Sequence, residues 1–155
     1  MTDAADALDA SLRLIRAQAA LARRFDARLS GLHGVSLADF TLLLRLGQAP
    51  GGRMRRVDLA EAVGLTASGV TRALAPLERI GLVSREPDAR DARVAHAALT
   101  DTGRRLLAEM RGTAEETAAG LFAVPQWNAE DIGTLSGLLS RLGGTGLPEH
   151  GGPAR

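Results

Sequence analysis

The apolar residues Leu8, Leu12, Ile15, Ala19, Ala22, Phe25, Leu29 and Leu32 recur at spacings of three and four. That period predicts a single long amphipathic helix over about residues 5–32. At a rise of about 1.5 Å per residue such a helix exceeds roughly 35 Å and outruns the core of a small domain. Part of its stripe is therefore expected to meet a second subunit, the alternative being a helix packed wholly within its own chain. Arg13, Arg16, Arg23, Arg24 and Arg28 lie mostly off the stripe.

Glycines at 31 and 34 break the helix. Ser36 followed by Asp39 resembles a capping box, and Leu37, Phe40, Leu43 and Leu44 then give a second helix that Gly47 can end. Ala49-Pro50-Gly51-Gly52 is a turn by its chemistry. Residues 57–63 read as a short helix with Leu59, Ala60 and Val63 inward. Gly64-Leu65 is a tight connection, Thr66 a good N-cap, and residues 67–80 a further helix with Val70, Leu74 and Leu77 on one face. Two helices joined by a short glycine-containing turn form a helix-turn-helix. Pro76 falls inside the second of them, where the missing N–H and the ring predict a kink near residues 72–76.

Residues 82–85 read as a strand, 86–91 as a polar loop and 94–99 as a returning strand, which together make a hairpin. Thr100 or Asp101 can cap the next helix, which runs through Leu106, Leu107 and Met110 to about Gly120. Pro125 interrupts it. Asn128 with Asp131 opens a last helix carrying Ile132, Leu135, Leu138, Leu139 and Leu142. Residues 144–155, rich in Gly and Pro, are expected to be a disordered tail. The pattern as a whole predicts a mainly α fold with a small β-hairpin.

Composition narrows the chemistry. A chain of 155 residues holds one ordinary domain. Three Phe, one Trp and no Tyr leave the core to Leu, Ala, Val and Ile, which suits packed helices. A net charge of +1 means that any nucleic-acid site must come from local clustering. All 19 basic residues are Arg, whose planar fork matches phosphates and guanine edges. The absence of Cys excludes disulfides, thiolate zinc sites and cysteine-based redox sensing within this sequence. No cofactor or metal is indicated. No basic-then-apolar leader opens the sequence and no run approaches a membrane span, so a cytoplasmic location without membrane contact is expected. His33, His96 and His150 lie far apart without a phosphate loop or nucleophile elbow beside them, which argues against an enzyme. The lack of an aromatic stacking platform argues against RNA binding.

Three stretches resemble the MarR-type family of transcriptional regulators. They are Leu59-Ala60-Glu61-Ala62-Val63-Gly64-Leu65-Thr66-Ala67-Ser68-Gly69-Val70-Thr71-Arg72, then Leu77-Glu78-Arg79-Ile80-Gly81-Leu82-Val83-Ser84-Arg85, then Asp91-Ala92-Arg93 with Leu99-Thr100 and Gly103. The resemblance implies a single domain over residues 5–143, made of a winged helix-turn-helix lobe over about residues 53–100 and dimerisation helices over about 5–32 and 101–142. It further implies a homodimer on a pseudo-palindromic operator in double-stranded DNA, and a repressor released by a small aromatic or phenolic anion bound between the dimer helices and the DNA-binding lobe.

The residues support contacts of this kind. Ser68, Thr71 and Arg72 are spaced by three and four at the start of the second helix and share a face. A helix in the major groove reads bases with such N-terminal side chains. Asp91 and Arg93, two apart on an extended segment, lie on the same side; the resemblance implies that Asp91 holds Arg93 in the minor groove, whose negative potential attracts Arg. Arg90 at the tip and Arg85 at the base of the hairpin are candidate phosphate contacts. For Arg53, Arg55 and Arg56, a phosphate contact and a solvated basic turn fit equally well. Arg16, Arg24, His33 and Trp127 are candidate ligand contacts, against the plainer readings of a packing anchor for Trp127 and a solvated turn for His33. A winged helix used only for protein interaction is the alternative function; Arg72, Arg90 and Arg93 are the residues that it would not need.

Overall fold

The computed structural model describes residues 3–88 and 94–142. Six helices and a three-stranded antiparallel sheet make up these residues. Helix α1 spans Ala4–His33, capped by Asp3, whose carboxylate accepts from the Ala5 N–H at 3.1 Å. Helix α2 (Leu37–Gln48) starts at the expected box: the Asp39 N–H donates to Ser36 Oγ while the Ser36 N–H donates to Asp39 Oδ2. After a 3-10 turn at Pro50–Gly52 come β1 (Arg53–Arg55), α3 (Arg56–Ala62) and α4 (Ala67–Arg79). The hairpin strands are β2 (Val83–Pro87) and β3 (Ala95–Leu99), followed by α5 (Asp101–Phe122) and α6 (Ala129–Leu142).

The sheet order is β1-β3-β2, with Arg55 opposite His96 and Glu86 opposite the same His96. Strand β1 is an element that the hydrophobic pattern does not announce. Strand β2 continues through Glu86 and Pro87, which the sequence reading assigns to a loop. Pro87 is compatible because β2 is an edge strand, where a missing N–H breaks no ladder on the outer side.

One apolar core joins the elements around the helix-turn-helix. Leu29 of α1, Leu43 and Leu46 of α2, Leu59 of α3, Leu74 of α4, Leu99 of β3 and Met110 of α5 all belong to it. Gly103 in the first turn of α5 is needed for this closeness: a Cβ there would sit 2.1 Å from the Leu82 carbonyl oxygen. Thr100 reinforces the junction, since its hydroxyl donates to the Gly81 carbonyl at 2.6 Å and its N–H to the Leu82 carbonyl at 3.1 Å. His33 is not a solvated turn residue; its Nε2 lies 2.8 Å from Thr113 Oγ1 and ties the end of α1 to α5.

Pro76 does not break α4, which continues unbroken to Arg79. The expected kink does not interrupt the helix for two reasons. Leu74 and Leu77 are buried on either side of Pro76 and hold both parts of the helix to the core. Pro76 and Arg72 are themselves exposed, and on an exposed helix face hydration can replace a lost backbone bond.

The two ends of the chain contrast with this core. Only Leu29 is buried in α1, and no residue is buried in α6. Phe122 and Trp127 meet edge to face, with ring centroids 5.1 Å apart, across the α5–α6 connection. No described helix is long and apolar enough to cross a membrane.

Candidate nucleic-acid interface

The α3–α4 turn presents the site. Gly64 takes φ +68°, a left-handed conformation that glycine adopts without steric cost, and the Leu65 N–H donates to the Ala60 carbonyl at 2.8 Å. Thr66 then caps α4, its hydroxyl accepting from the Gly69 N–H at 3.0 Å. With Val70, Leu74 and Leu77 fixed inward, the 3.6-residue period turns Ser68, Thr71 and Arg72 outward, and all three are exposed. The Thr71 hydroxyl donates to the Ala67 carbonyl at 3.0 Å and keeps acceptor capacity. Ser68 Oγ lies 3.2 Å from Thr66 Oγ1. Arg72 has no hydrogen-bond or ion-pair partner among the described residues, so its five donors point to solvent.

Arg85, on β2 opposite Ala97, is also exposed. Arg90, Asp91 and Arg93 lie outside the described residues. At this end of the hairpin the Asp88 N–H donates to the Val94 carbonyl at 3.0 Å. His96 Nε2 stands 3.7 Å from Asp88 Oδ2 on the same hairpin.

The basic cluster before α3 divides. Arg53 lies 3.4 Å from Glu86, and Arg56 is paired with Glu78 of α4. Arg55 is exposed and has no such partner among the described residues.

The four candidate ligand contacts are not brought together within the chain. Arg16 is exposed midway along α1. Arg24 lines a cleft of about 270 Å³ with Arg28, Glu116 and Thr117, and Trp127 a depression of about 440 Å³ against α6. His33 is engaged by Thr113. A larger groove of about 570 Å³ lies elsewhere, between α1, α2 and the helix-turn-helix. Leu37, Ala38, Leu42, Val63, Leu65 and Ala73 form its apolar wall, with Arg23, Asp26 and Thr41 as its polar groups. Sequence reasoning missed these residues because each reads singly as ordinary helix packing.

Taken together, a capped reading helix beside a three-stranded sheet defines a winged helix-turn-helix. Comparison with known proteins places it further. Residues 35–95 match the model of the MarR family. Sco3205 from Streptomyces coelicolor, a MarR family transcriptional regulator solved in complex with DNA, is 25% identical with a TM-score of 0.80, the match covering 92% of this chain and 88% of that one. The transcriptional regulator BldR from Sulfolobus solfataricus is 26% identical with a TM-score of 0.76, over 91% and 99% of the two chains. A mutant MarR from E. coli, complexed with operator DNA, shares the fold at 23% identity and a TM-score of 0.77, over 91% and 99%. Over residues 35–95 the chain is thus similar to the MarR family, and its fold is the winged helix-turn-helix of these structures.

Proposed function

We propose that this chain is a sequence-specific, DNA-binding transcriptional regulator that acts as a homodimer. The observation that carries the reading is the outward face of α4, where Ser68, Thr71 and Arg72 stand exposed on a helix whose other face is locked into the core. A helix held this way fixes the backbone from which these side chains reach, so only their own rotamers are left to be ordered on a base edge. The DNA complex of Sco3205 supports the same use of the fold. In this reading Arg72 forks onto a guanine, and Ser68 and Thr71 take base or phosphate contacts. Arg93, held by Asp91, enters the minor groove while Arg85 and Arg90 contact phosphates.

The chain then divides into a DNA-binding lobe at residues 53–100 and dimerisation helices at 5–32 and 101–142. Exposed Leu8, Leu12 and Ile15 on α1, with Ile132, Leu138, Leu139 and Leu142 on α6, support the second role. A dimer presents two reading helices about one turn of DNA apart, which matches a pseudo-palindrome. Release of a repressor by a small ligand has its best support in the groove of about 570 Å³, because it touches both α1 and the α3–α4 turn. An apolar or aromatic molecule suits its walls, and Arg23 is placed to take a carboxylate or phenolate. The cytoplasm is the compartment that this activity requires.

Selection of bound duplexes from a random pool tests the function. The expected result is enrichment of a two-fold symmetric sequence, and substitution Arg93→Ala should then weaken binding by about 1–3 kcal/mol without dissociating the dimer. A pool that enriches nothing would favour the protein-interaction reading.

A further inference from the structure

We infer that the ion pair between Arg56 and Glu78 is a strut that sets the angle of the reading helix, so that Arg56 is a positioning residue and not a phosphate ligand. The inference deepens the DNA-binding reading above and rests on it.

The placement of the pair is the first support. The α3–α4 unit is closed at its turn by Gly64, Thr66 and the bond from Leu65 to Ala60. Arg56 is the first residue of α3 and Glu78 the last but one of α4, so both lie at the ends remote from that turn. A link between the remote ends restrains the angle between two helices more strongly than one beside the turn.

Burial is the second support. The side chains of Arg56 and Glu78 are only 13% and 27% exposed, whereas those of Arg53 and Glu86 are 45% and 42% exposed. Arg56 Nε is buried without a hydrogen-bond partner. A guanidinium turned inward onto a carboxylate is poorly placed to meet a phosphate, and leaving Glu78 would strand a half-buried charge.

Pro76 is the third support, and it makes the strut useful. Proline supplies no N–H, so the last turn of α4 is tied to the rest of the helix by one bond fewer. Glu78 lies beyond that gap. Leu77 fixes this turn radially by burial, and Glu78 is the residue there that reaches another element through a directed polar contact. A pair of this kind is weak evidence for stability, and fixing a register is its best-attested use where it serves conformational specificity.

The test uses the full-length chain and a duplex that the wild type has selected from a random pool. Single variants Arg56→Met and Glu78→Gln each leave a lone charge and are expected to lower the melting temperature. The double variant Arg56→Met/Glu78→Gln removes both charges and is expected to melt near the wild type. Its preference for the selected duplex over a scrambled one should fall by about tenfold, the size of coupling common within one polar network. The slope of log K against log salt should stay unchanged, because no phosphate contact has been lost. The charge swap Arg56→Glu/Glu78→Arg should recover most of the preference. Wild-type preference in the double variant would overturn the strut. A slope reduced by about one would overturn it too, by making Arg56 a phosphate ligand. Failure of the wild type to select any duplex would overturn the DNA-binding reading and the strut with it, and is told apart because it occurs before any substitution.

Discussion

The helix-turn-helix lobe and the two ends of the chain use the same leucines in opposite ways. In α4 the apolar face is sealed: Val70 and Leu74 are fully buried, and the polar face beside them is left open. In α1 the apolar stripe is open, with Leu8 at 61% and Ile15 at 62% exposure, and α6 ends on Leu142 at 69%. A lobe with a sealed core and an unengaged Arg72 is finished as a folding unit and unfinished as a binding surface. Helices with open leucine stripes are unfinished as folding units, because burying each such side chain is worth about 1.5–3 kcal/mol. The difference supports the proposed division of labour, in which a single chain supplies the reading surface and a second copy completes the scaffold that carries it.

Substitutions can break or sharpen this contrast. The largest effect is expected from Leu74→Ala, which leaves a cavity in the sealed core and should cost about 2–5 kcal/mol in denaturant unfolding. A cost well under 1 kcal/mol would mean that the lobe is not sealed there. Leu138→Glu, on the open face of α6, should instead weaken the dimer by about 2–4 kcal/mol, read by ultracentrifugation, because it places a charge in the apolar centre of an interface. An unchanged association constant would remove α6 from the interface. Arg72→Ala should leave the melting temperature unchanged and lower affinity for a selected duplex by about 1–3 kcal/mol. The smallest effect belongs to Arg13→Ala. It breaks an exposed i,i+4 pair with Asp9 at 2.6 Å, which is worth at most about 0.5 kcal/mol; a larger loss would place Arg13 inside the dimer contact.

Much of this organisation is legible in the chain. The six helices follow from apolar spacing, and their starts from Ser36, Thr66 and Thr100, each of which caps as its side chain suggests. The reading face of α4 follows once Val70, Leu74 and Leu77 are taken as inward. Strand β1 is not legible, because three residues alternating Arg, Met and Arg carry no period of their own; its pairing with β3 supplies the order. The tie between His33 and Thr113 spans 80 positions and leaves no local mark. The same holds for the pairing of Arg56 with Glu78: Arg56 reads equally as a phosphate contact or a solvated turn residue until the fold brings α3 and α4 together. At Pro76 the helix runs on to Arg79, with Leu74 and Leu77 buried on either side of the proline.

The central claim is that the open face of the lobe reads duplex DNA. It is tested most directly by measuring affinity for a selected duplex and for a scrambled one across a salt series. The account predicts a linear fall of log K with log salt on both duplexes, with a slope of about −0.9 for each phosphate neutralised, and tighter binding of the selected sequence at every salt concentration. Affinity independent of salt, or equal for the two duplexes, would contradict it.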